Sequence, residues 1–317
     1  MTIQRGIIMS DDKYILATYA ESAGQVRNVY RLTESLRTFG GSFADIPVWL
    51  YIPDRAEFSL ESAEYFGKLH SQGAIIQNSP LPEDAAWFYY AGKVYAAGKA
   101  ETTAESAGVS LIWMDDDTVI LSQPDSLALA PDESFIWCPV MHNRSGSLFD
   151  LPPDDFWGRV YELLSIDDEK LFPMITPADR QKIRAYFHIG LMSVKPGRGI
   201  LRRLVTDFEK LYSDPDLAEM CRRDVIKRIF LHQAALVGVL NIVARDEIRE
   251  LPASYNYPIF FDKGFESERV FDSIENAATI RSVVSLDKIG ENWHEKLVGP
   301  EKKISWLKKW LPDHDIG

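Results

Sequence analysis

The chain has few cysteines, no long hydrophobic run and a shortage of positive charge, and each absence excludes a class of protein. Its 317 residues include only Cys138 and Cys221, which form neither a disulfide framework nor a zinc-binding pattern. No apolar run approaches the ~18 residues of a transmembrane helix, and the first residues lack the apolar core of a signal peptide. The net charge of -12 argues against a nucleic-acid partner. We expect a soluble, cytoplasmic protein with two buried thiols.

Strand and helix patterns alternate through the first part of the chain. Strands are predicted at Tyr14–Thr18, Ile46–Ile52 and Ala74–Gln77, and helices at Gln25–Phe39, Leu60–Ser71 and Ala86–Ala104. This alternation is typical of βαβ units, so it predicts an α/β fold with a mainly parallel sheet.

The later part of the chain has shorter and less regular elements. Strands are predicted at residues 134–140, 188–194, 241–244, 248–251 and 281–285, and helices at 199–212 and 224–240. Residues 151–176 contain several prolines and acidic residues, and they predict a loop with one short helix. A loop of that length inside a domain is usually functional or mobile.

The most informative segment is LIWMDDDTVIL, residues 111–121. An apolar run that reads as a buried strand leads directly into Asp115, Asp116 and Asp117. Three adjacent carboxylates repel one another, and a divalent cation such as Mg²⁺ or Mn²⁺ is the usual remedy. The alternative is a solvated turn or a helix cap. A helix start is disfavoured because an apolar run, Val119–Leu121, resumes at once.

Three further motifs follow in a fixed order: FHIGLMSVKPGRG at 187–199, HQAALVGVL at 232–240 and LPASYNYP at 251–258. With the aspartates they resemble nucleotide-sugar glycosyltransferases of GT-A fold, in the retaining branch that includes glycogenin and bacterial lipopolysaccharide hexosyltransferases. The resemblance spans roughly Tyr14 to Trp293. It implies one domain with a Rossmann-like, mixed and mainly parallel sheet flanked by helices. Residues 1–125 would form the nucleotide-sugar half, 126–299 the acceptor half and 300–317 a tail.

The resemblance implies metal-dependent transfer of a hexose from a nucleotide-diphosphate sugar, with a UDP-sugar favoured and configuration retained. Asp115 and Asp117 match the carboxylates that bind Mn²⁺ or Mg²⁺, which holds the donor diphosphate and neutralises charge on the leaving group. Asp116 would contact the ribose or a sugar hydroxyl, and Gln233 would lie near the reacting face of the sugar. The acceptor, whether carbohydrate, lipid or protein, is not specified.

Other positions would bind the nucleotide or substrate. Thr18, Tyr19 and Ala20 match the site of the base and ribose, and Lys93 matches a basic position near the phosphates. The remaining candidates lie on the three later motifs: His188, Gly190, His232 and Asn256. The structural alternatives are buried packing for His188 and Gly190, and solvent exposure for Lys93, His232 and Gln233.

The chain departs from the family pattern at several positions. His188 stands where the family has Asn, and His232 stands where it has Asp before Gln233. The family's third metal ligand is a C-terminal His, but Ser285 occupies the expected place. His294 is therefore the candidate third ligand, with Asp287 as the alternative.

Three other functions fit parts of the pattern. A catalytically impaired member of the same fold would bind a nucleotide sugar or carbohydrate without transfer, and a nucleotidyltransferase would use a related fold. In a haloacid-dehalogenase-type phosphatase, Asp115 would be the nucleophile and Asp117 the acid or base. That motif normally ends the first strand of its fold, whereas at least three strand patterns precede it here.

The C-terminal segment EKKISWLKKWLPD, residues 301–313, is basic and amphipathic. Such a helix can lie on an anionic membrane surface, which predicts a peripheral membrane contact. The alternative is a terminal helix packed on the domain or on a dimer partner.

Overall fold

A seven-stranded sheet lies at the centre of the computed structural model, which describes residues 14–54, 58, 60–258, 273–282 and 297–311. The strands are, in chain order, β1 (Tyr14–Tyr19), β2 (Val48–Pro53), β3 (Ile75–Ser79), β4 (Ser110–Met114), β5 (Thr118–Ile120), β6 (Phe135–Pro139), β7 (Pro173–Ile175), β8 (Lys182–Arg184), β9 (Phe187–Val194), β10 (Ile248–Glu250), β11 (Tyr257–Pro258) and β12 (Thr279–Arg281). The helices are α1 (Ala23–Phe39), α2 (Leu60–Ser71), α3 (Ala91–Ala107), α4 (Asp155–Leu164), α5 (Ile200–Tyr212), α6 (Pro215–Arg223), α7 (Val225–Ala235) and α8 (Glu301–Trp310).

The main sheet has the strand order β10-β6-β9-β4-β1-β2-β3. Only β9 runs antiparallel to its neighbours, β4 and β6, and the other pairs are parallel. The predicted α/β class, with a mixed and mainly parallel sheet flanked by helices, is confirmed. Strands from both predicted halves of the chain share this one sheet.

The strand before the aspartates is buried on both faces. Leu111, Ile112, Trp113 and Met114 of β4 are each at most 1% exposed. A strand between two sheet neighbours and two helical layers has no polar face, which is why its sequence is a continuous apolar run rather than an alternating one.

Helices α1 and α3 cover opposite faces of β1. The predicted apolar stripe of α1, Val26, Val29, Leu32 and Leu36, is buried against one face. On α3 the alanines pack against the other face, where their small side chains allow a close approach. Ser22 caps α1 by accepting a hydrogen bond from the Gln25 amide (3.3 Å).

A small second sheet, β11-β12-β5, holds distant residues beside the aspartates. β5 follows Asp117 directly and pairs antiparallel with β12, so that Thr118 lies opposite Arg281. β12 pairs in parallel with β11, which follows Asn256. Residues far apart in sequence are therefore held beside the same three aspartates.

Several predicted boundaries were wrong for local reasons. The strand predicted at 241–244 is absent, since a 3₁₀ helix occupies Leu236–Asn241 and a turn follows. Helix α3 begins at Ala91, because Tyr90 adopts a left-handed conformation (φ 62°). Helix α6 was missed, although Asp214 as N-cap and Pro215 at the first turn are a recognisable start signal.

The C-terminal helix α8 packs on the domain. Ile304, Leu307 and Leu311 are buried, Trp306 contacts Phe39 with ring centroids 5.8 Å apart, and Trp310 contacts Tyr30 at 5.5 Å. This favours the docked alternative, because the apolar face is already covered. The membrane contact stays a prediction. Within the described ranges, no helix is long and apolar enough to cross a bilayer.

We expect Leu307→Ala to lower the free energy of unfolding by about 2–4 kcal/mol, because it leaves a cavity under α8. Lys308→Ala changes the neighbouring exposed position and should alter it by less than about 0.5 kcal/mol. Urea unfolding of both variants provides the measurement. Equal, small effects would contradict the docked helix.

Candidate functional site

The three aspartates lie where the main sheet reverses its strand order. From β1 the chain proceeds to β2 and β3 on one side, and β4 then joins β1 on the other. Ligands in α/β folds bind in the crevice outside the carboxyl ends of the strands at such a point. The Asp115 amide donates to the Gly190 carbonyl of β9 (2.8 Å), which fixes the turn after β4.

Asp115 is held by a lysine from the helix before its strand. Lys93 Nζ lies 2.9 Å from Oδ1 and 3.1 Å from Oδ2, and both side chains are almost buried. The same ammonium lies over the Tyr90 ring, 4.7 Å from its centroid. Lys93 is therefore paired with Asp115 and is not a surface lysine.

Asp116 points to the opposite side, towards α1. It accepts a hydrogen bond from Asn28 Nδ2 (3.0 Å), and Arg31 donates in turn to Asn28 Oδ1 (3.0 Å). Burial, followed by the adjacent Asp117 carboxylate, raises the pKa of Asp116 well above its ordinary value. The extended backbone expected at the aspartates is absent: Asp116 and Asp117 lie in a turn, closed by the Thr118 amide, which donates to the Asp115 carbonyl (3.1 Å).

Asp117 faces Arg281 on β12. The guanidinium Nε is 3.7 Å from Asp117 Oδ2, while Oδ1 is buried without a hydrogen-bond partner among the described residues. Burial raises the pKa of Asp117, and Arg281 opposes this shift. The amide and hydroxyl of Ser282 both donate to the Asp117 carbonyl, at 2.8 and 2.9 Å, and they join β12 to the aspartate turn.

His188 lies beneath the aspartates with both ring nitrogens in contact with donors. Nδ1 accepts from the Gly190 amide (2.9 Å) and is 3.1 Å from Asn256 Nδ2, and Nε2 is 3.3 Å from Arg281 Nη1. Burial, reinforced by the charges of Arg281 and Lys93, lowers the pKa of His188 well below its ordinary value. The ring is therefore neutral at neutral pH.

Gly190 is explained by close packing. A Cβ built there would lie 2.4 Å from Asp115 Oδ2 and 2.5 Å from His188 Cε1. Any side chain would displace one of these groups, so the position is restricted to glycine by its neighbours rather than by its own backbone conformation.

The two predicted residues on α7, His232 and Gln233, make different contacts. His232 packs on Tyr90 with ring centroids 4.9 Å apart, and its Nδ1 donates to the Ile229 carbonyl (2.8 Å). Gln233 donates from Nε2 to the Tyr186 hydroxyl (2.9 Å) and makes no hydrogen bond to the aspartates among the described residues. Both side chains are buried, so the solvent-exposed alternative is wrong for each.

The predicted nucleoside residues at the end of β1 are largely inaccessible. Thr18 and Ala20 are fully buried, so their side chains cannot contact a ligand without a rearrangement. The Tyr19 hydroxyl reaches the strand end and donates to Glu21 Oε2 (3.0 Å). It also occupies the space beside Gly92, where an added Cβ would lie 2.0 Å away. Tyr19 and Glu21 are thus the better candidates.

The predicted metal ligands do not form a metal centre in the described part of the chain. Asp115 is paired with Lys93 and Asp117 faces Arg281, and no group of three His, Cys, Asp or Glu side chains converges there to hold an ion. His294, the predicted third ligand, and its alternative Asp287 lie outside the described residues. Among the described residues the donor set therefore does not fit a divalent cation, and the assignment of His294 as a ligand stays a prediction.

Around the aspartates and Lys93, sequence reasoning missed Asn28, Tyr90 and Arg281. Arg281 had a usable signal, because a charged residue within the apolar segment AATIRSVV requires a partner. Asn28 and Tyr90 had none, since a polar residue on an amphipathic helix and an aromatic before a helix are common.

The comparison with protein families finds one match: the family described as Rhodobacterales glycosyltransferase domain matches residues 24–243. The span includes the aspartates and His188 to Gln233, and it ends before Arg281. No curated protein matches the chain.

Solved structures give distant likenesses. An active-site mutant of LgtC is 11% identical, with a TM-score of 0.48, and the alignment covers 84% of this chain and 86% of that one. GlyE from Streptococcus pneumoniae is 12% identical, with a TM-score of 0.47 and coverage of 95% and 61%. Core-mannan synthase A from Aspergillus fumigatus, in its Mn/GDP form, is 7% identical, with a TM-score of 0.42 and coverage of 76% and 73%. Likenesses at this level transfer no function to the chain.

We expect Gly190→Ala to destabilise the protein by about 1–3 kcal/mol, because the new methyl group overlaps Asp115 or His188. Gly158→Ala on α4 is the matched control, since nothing lies within 4 Å of its added Cβ. It should stabilise the helix by about 0.5–1 kcal/mol. Chemical unfolding measures both, and a neutral Gly190→Ala would contradict the close packing.

The stability of the protein should fall when the pH is lowered through the ordinary His value of 6.5. Burial, with the charge of Lys93, lowers the pKa of His232 in the folded state. Below the ordinary pKa, the unfolded chain therefore binds a proton at this residue that the folded protein does not bind. His232→Gln should reduce this loss between pH 7 and 5 by up to about 1.4 kcal/mol per pH unit. His70→Gln, at an exposed position, is the control. If the free energy of unfolding depends on pH in the same way in the wild type and in His232→Gln, this explanation is wrong.

Proposed function

Because the chain belongs to the Rhodobacterales glycosyltransferase domain family, we propose that it transfers a sugar from a nucleotide-diphosphate donor held in the crevice between β1 and β4. The observation that carries the proposal is the cluster of Asp115, Asp116 and Asp117 with Lys93 and Arg281 at the point where the sheet reverses. A phosphate-bearing donor needs cations, and a sugar needs hydrogen-bond acceptors. This crevice supplies both.

Lys93 and Arg281 lie where the donor diphosphate would bind. As the glycosidic bond breaks, negative charge develops on the leaving nucleoside diphosphate, and fixed positive groups in a desolvated crevice stabilise it. Asp115 and Asp117 orient these two cations. Both cationic side chains are held in position before the donor binds, so they reorganise little during the reaction.

Asp116 and Gln233 would act on the sugar side. Asp116 has a raised pKa and is positioned by Asn28, and it would bind a ribose or sugar hydroxyl. Gln233 keeps its proposed place near the reacting face, with its amide nitrogen held by Tyr186. His232 and Tyr90 would form an aromatic wall beside Lys93, and Asn256 and His188 would support the crevice from below.

The finer assignments rest on the sequence resemblance. We propose a hexose as the transferred sugar, a UDP-sugar as the first donor to test and retention of configuration. The acceptor half, 126–299, would bind a carbohydrate, lipid or protein acceptor. A divalent cation, also implied by the resemblance, is left out of this mechanism because the aspartates already face two cations.

Addition of UDP- or GDP-sugars should raise the melting temperature of the wild type, because binding to the folded state alone stabilises it. Lys93→Met should weaken this binding about 10- to 100-fold, since a charge-assisted contact is lost. Lys99→Met, at an exposed position on the same helix, should not. No shift with any nucleotide sugar would contradict the proposal.

Release of nucleoside diphosphate separates the transferase from a binding protein of the same fold. With a bound donor and a panel of sugar acceptors, a transferase forms nucleoside diphosphate and a glycosylated product. Tight donor binding without any release would favour the impaired, carbohydrate-binding alternative.

A further inference from the structure

Arg281 is a partly buried arginine, with its side chain 27% exposed, and part of its hydrogen-bonding capacity is unmet among the described residues. A guanidinium has five N–H donors and no acceptor. Among the described residues, the guanidinium contacts one polar atom at hydrogen-bond distance, His188 Nε2, which lies 3.3 Å from Nη1. Its Nε is buried without a hydrogen-bond partner there. Its carboxylate neighbour, Asp117, lies beyond hydrogen-bond distance at 3.7 Å. Donors left unpaired in this way are costly unless a ligand accepts from them.

The contact with His188 does not satisfy the guanidinium either. The backbone N–H of Gly190 can only donate, so His188 Nδ1 must be the acceptor. A neutral imidazole with Nδ1 as acceptor carries its proton on Nε2. Arg281 Nη1 and His188 Nε2 are then two donors facing each other. An anionic oxygen placed beside both groups would accept from both.

The position of Arg281 is set by backbone pairing. Its register opposite Thr118 and the two hydrogen bonds from Ser282 to the Asp117 carbonyl hold β12 against the aspartate turn. The backbone at Arg281 is therefore held beside the aspartates.

The local charges oppose a divalent cation. Lys93 is 2.9 Å from Asp115 and Arg281 is 3.7 Å from Asp117, so each of these carboxylates already has a cation beside it. A dication bound between them would face two further positive charges within a few ångströms, in a crevice where water screens poorly. A diphosphate, by contrast, would be attracted to the same two groups.

We propose that Arg281, together with Lys93, takes the place of a divalent metal and binds the diphosphate of the donor. This rests on the proposed function for the identity of the ligand. Glycosyl transfer by this protein then proceeds without added metal. Arg281 donates its unpaired N–H groups to the phosphate oxygens, and it carries the charge that would otherwise be carried by the ion.

Manganese binding, measured by electron paramagnetic resonance, tests the proposal without any sugar. We expect weak Mn²⁺ binding by the wild type. Arg281→His removes the cation and adds an imidazole ligand beside Asp117, so it should bind Mn²⁺ about 10-fold tighter or more. Tight, stoichiometric binding by the wild type that this variant does not improve would overturn the proposal.

Donor binding in EDTA and in Mn²⁺ gives the second test, by calorimetry with UDP- and GDP-sugars. The wild type should bind equally in both, Arg281→Ala should bind about 10- to 100-fold more weakly, and Arg281→Lys should fall between them. Binding by the wild type that EDTA abolishes and Mn²⁺ restores would refute the metal-free site. If no nucleotide sugar binds under either condition, the proposed function fails, and the manganese titration still decides whether Arg281 excludes the ion.

Arg159→Ala is the matched control for both measurements. Arg159 pairs with Asp214 at 2.5 Å, has a similar exposed fraction to Arg281 and lies on α4. Its loss should leave Mn²⁺ and donor binding unchanged. Circular dichroism and thermal unfolding establish that each variant is folded. If Arg281→Ala does not fold, Arg281→Lys, which keeps the positive charge, replaces it in both measurements.

Discussion

Three adjacent carboxylates at the end of a buried strand must be compensated, and the structure of the site follows from this requirement. Each aspartate is compensated by a different element: Asp115 by Lys93 on α3, Asp116 by Asn28 on α1 and Asp117 by Arg281 on β12. The three side chains leave the turn towards different elements, so no single neighbour contacts all three. Desolvated charges without such partners would be too costly to keep.

The same requirement explains the small second sheet. β12 has no role in the main sheet, yet it places Arg281 beside Asp117 and is bonded to the aspartate turn through Ser282. Gly190 then has to be a glycine because Asp115 and His188 meet over its Cα. Close packing, charge pairing and strand pairing thus involve the same few residues, so a substitution that alters one of them also alters the others.

Much of the fold was predictable because local patterns and tertiary packing agree. The alternation of β1, α1, β2 and α2 follows from apolar periodicity and clear end signals. The prediction of a strand at 241–244 was wrong because a short apolar run does not distinguish a strand from a 3₁₀ turn. The start of α3 was misplaced because Tyr90 adopts an uncommon conformation that its sequence does not announce.

By itself, the sequence determined the fold class and the position of the three aspartates at the end of a buried strand, because these depend on periodicity along the chain. Only the tertiary structure decided what those aspartates contact. Lys93, Asn28 and Arg281 reach them from positions 22, 88 and 164 residues away in sequence. The pairing of β5 with β12 put Arg281 beside Asp117. Such long-range partners depend on strand register and helix docking, which no local pattern encodes.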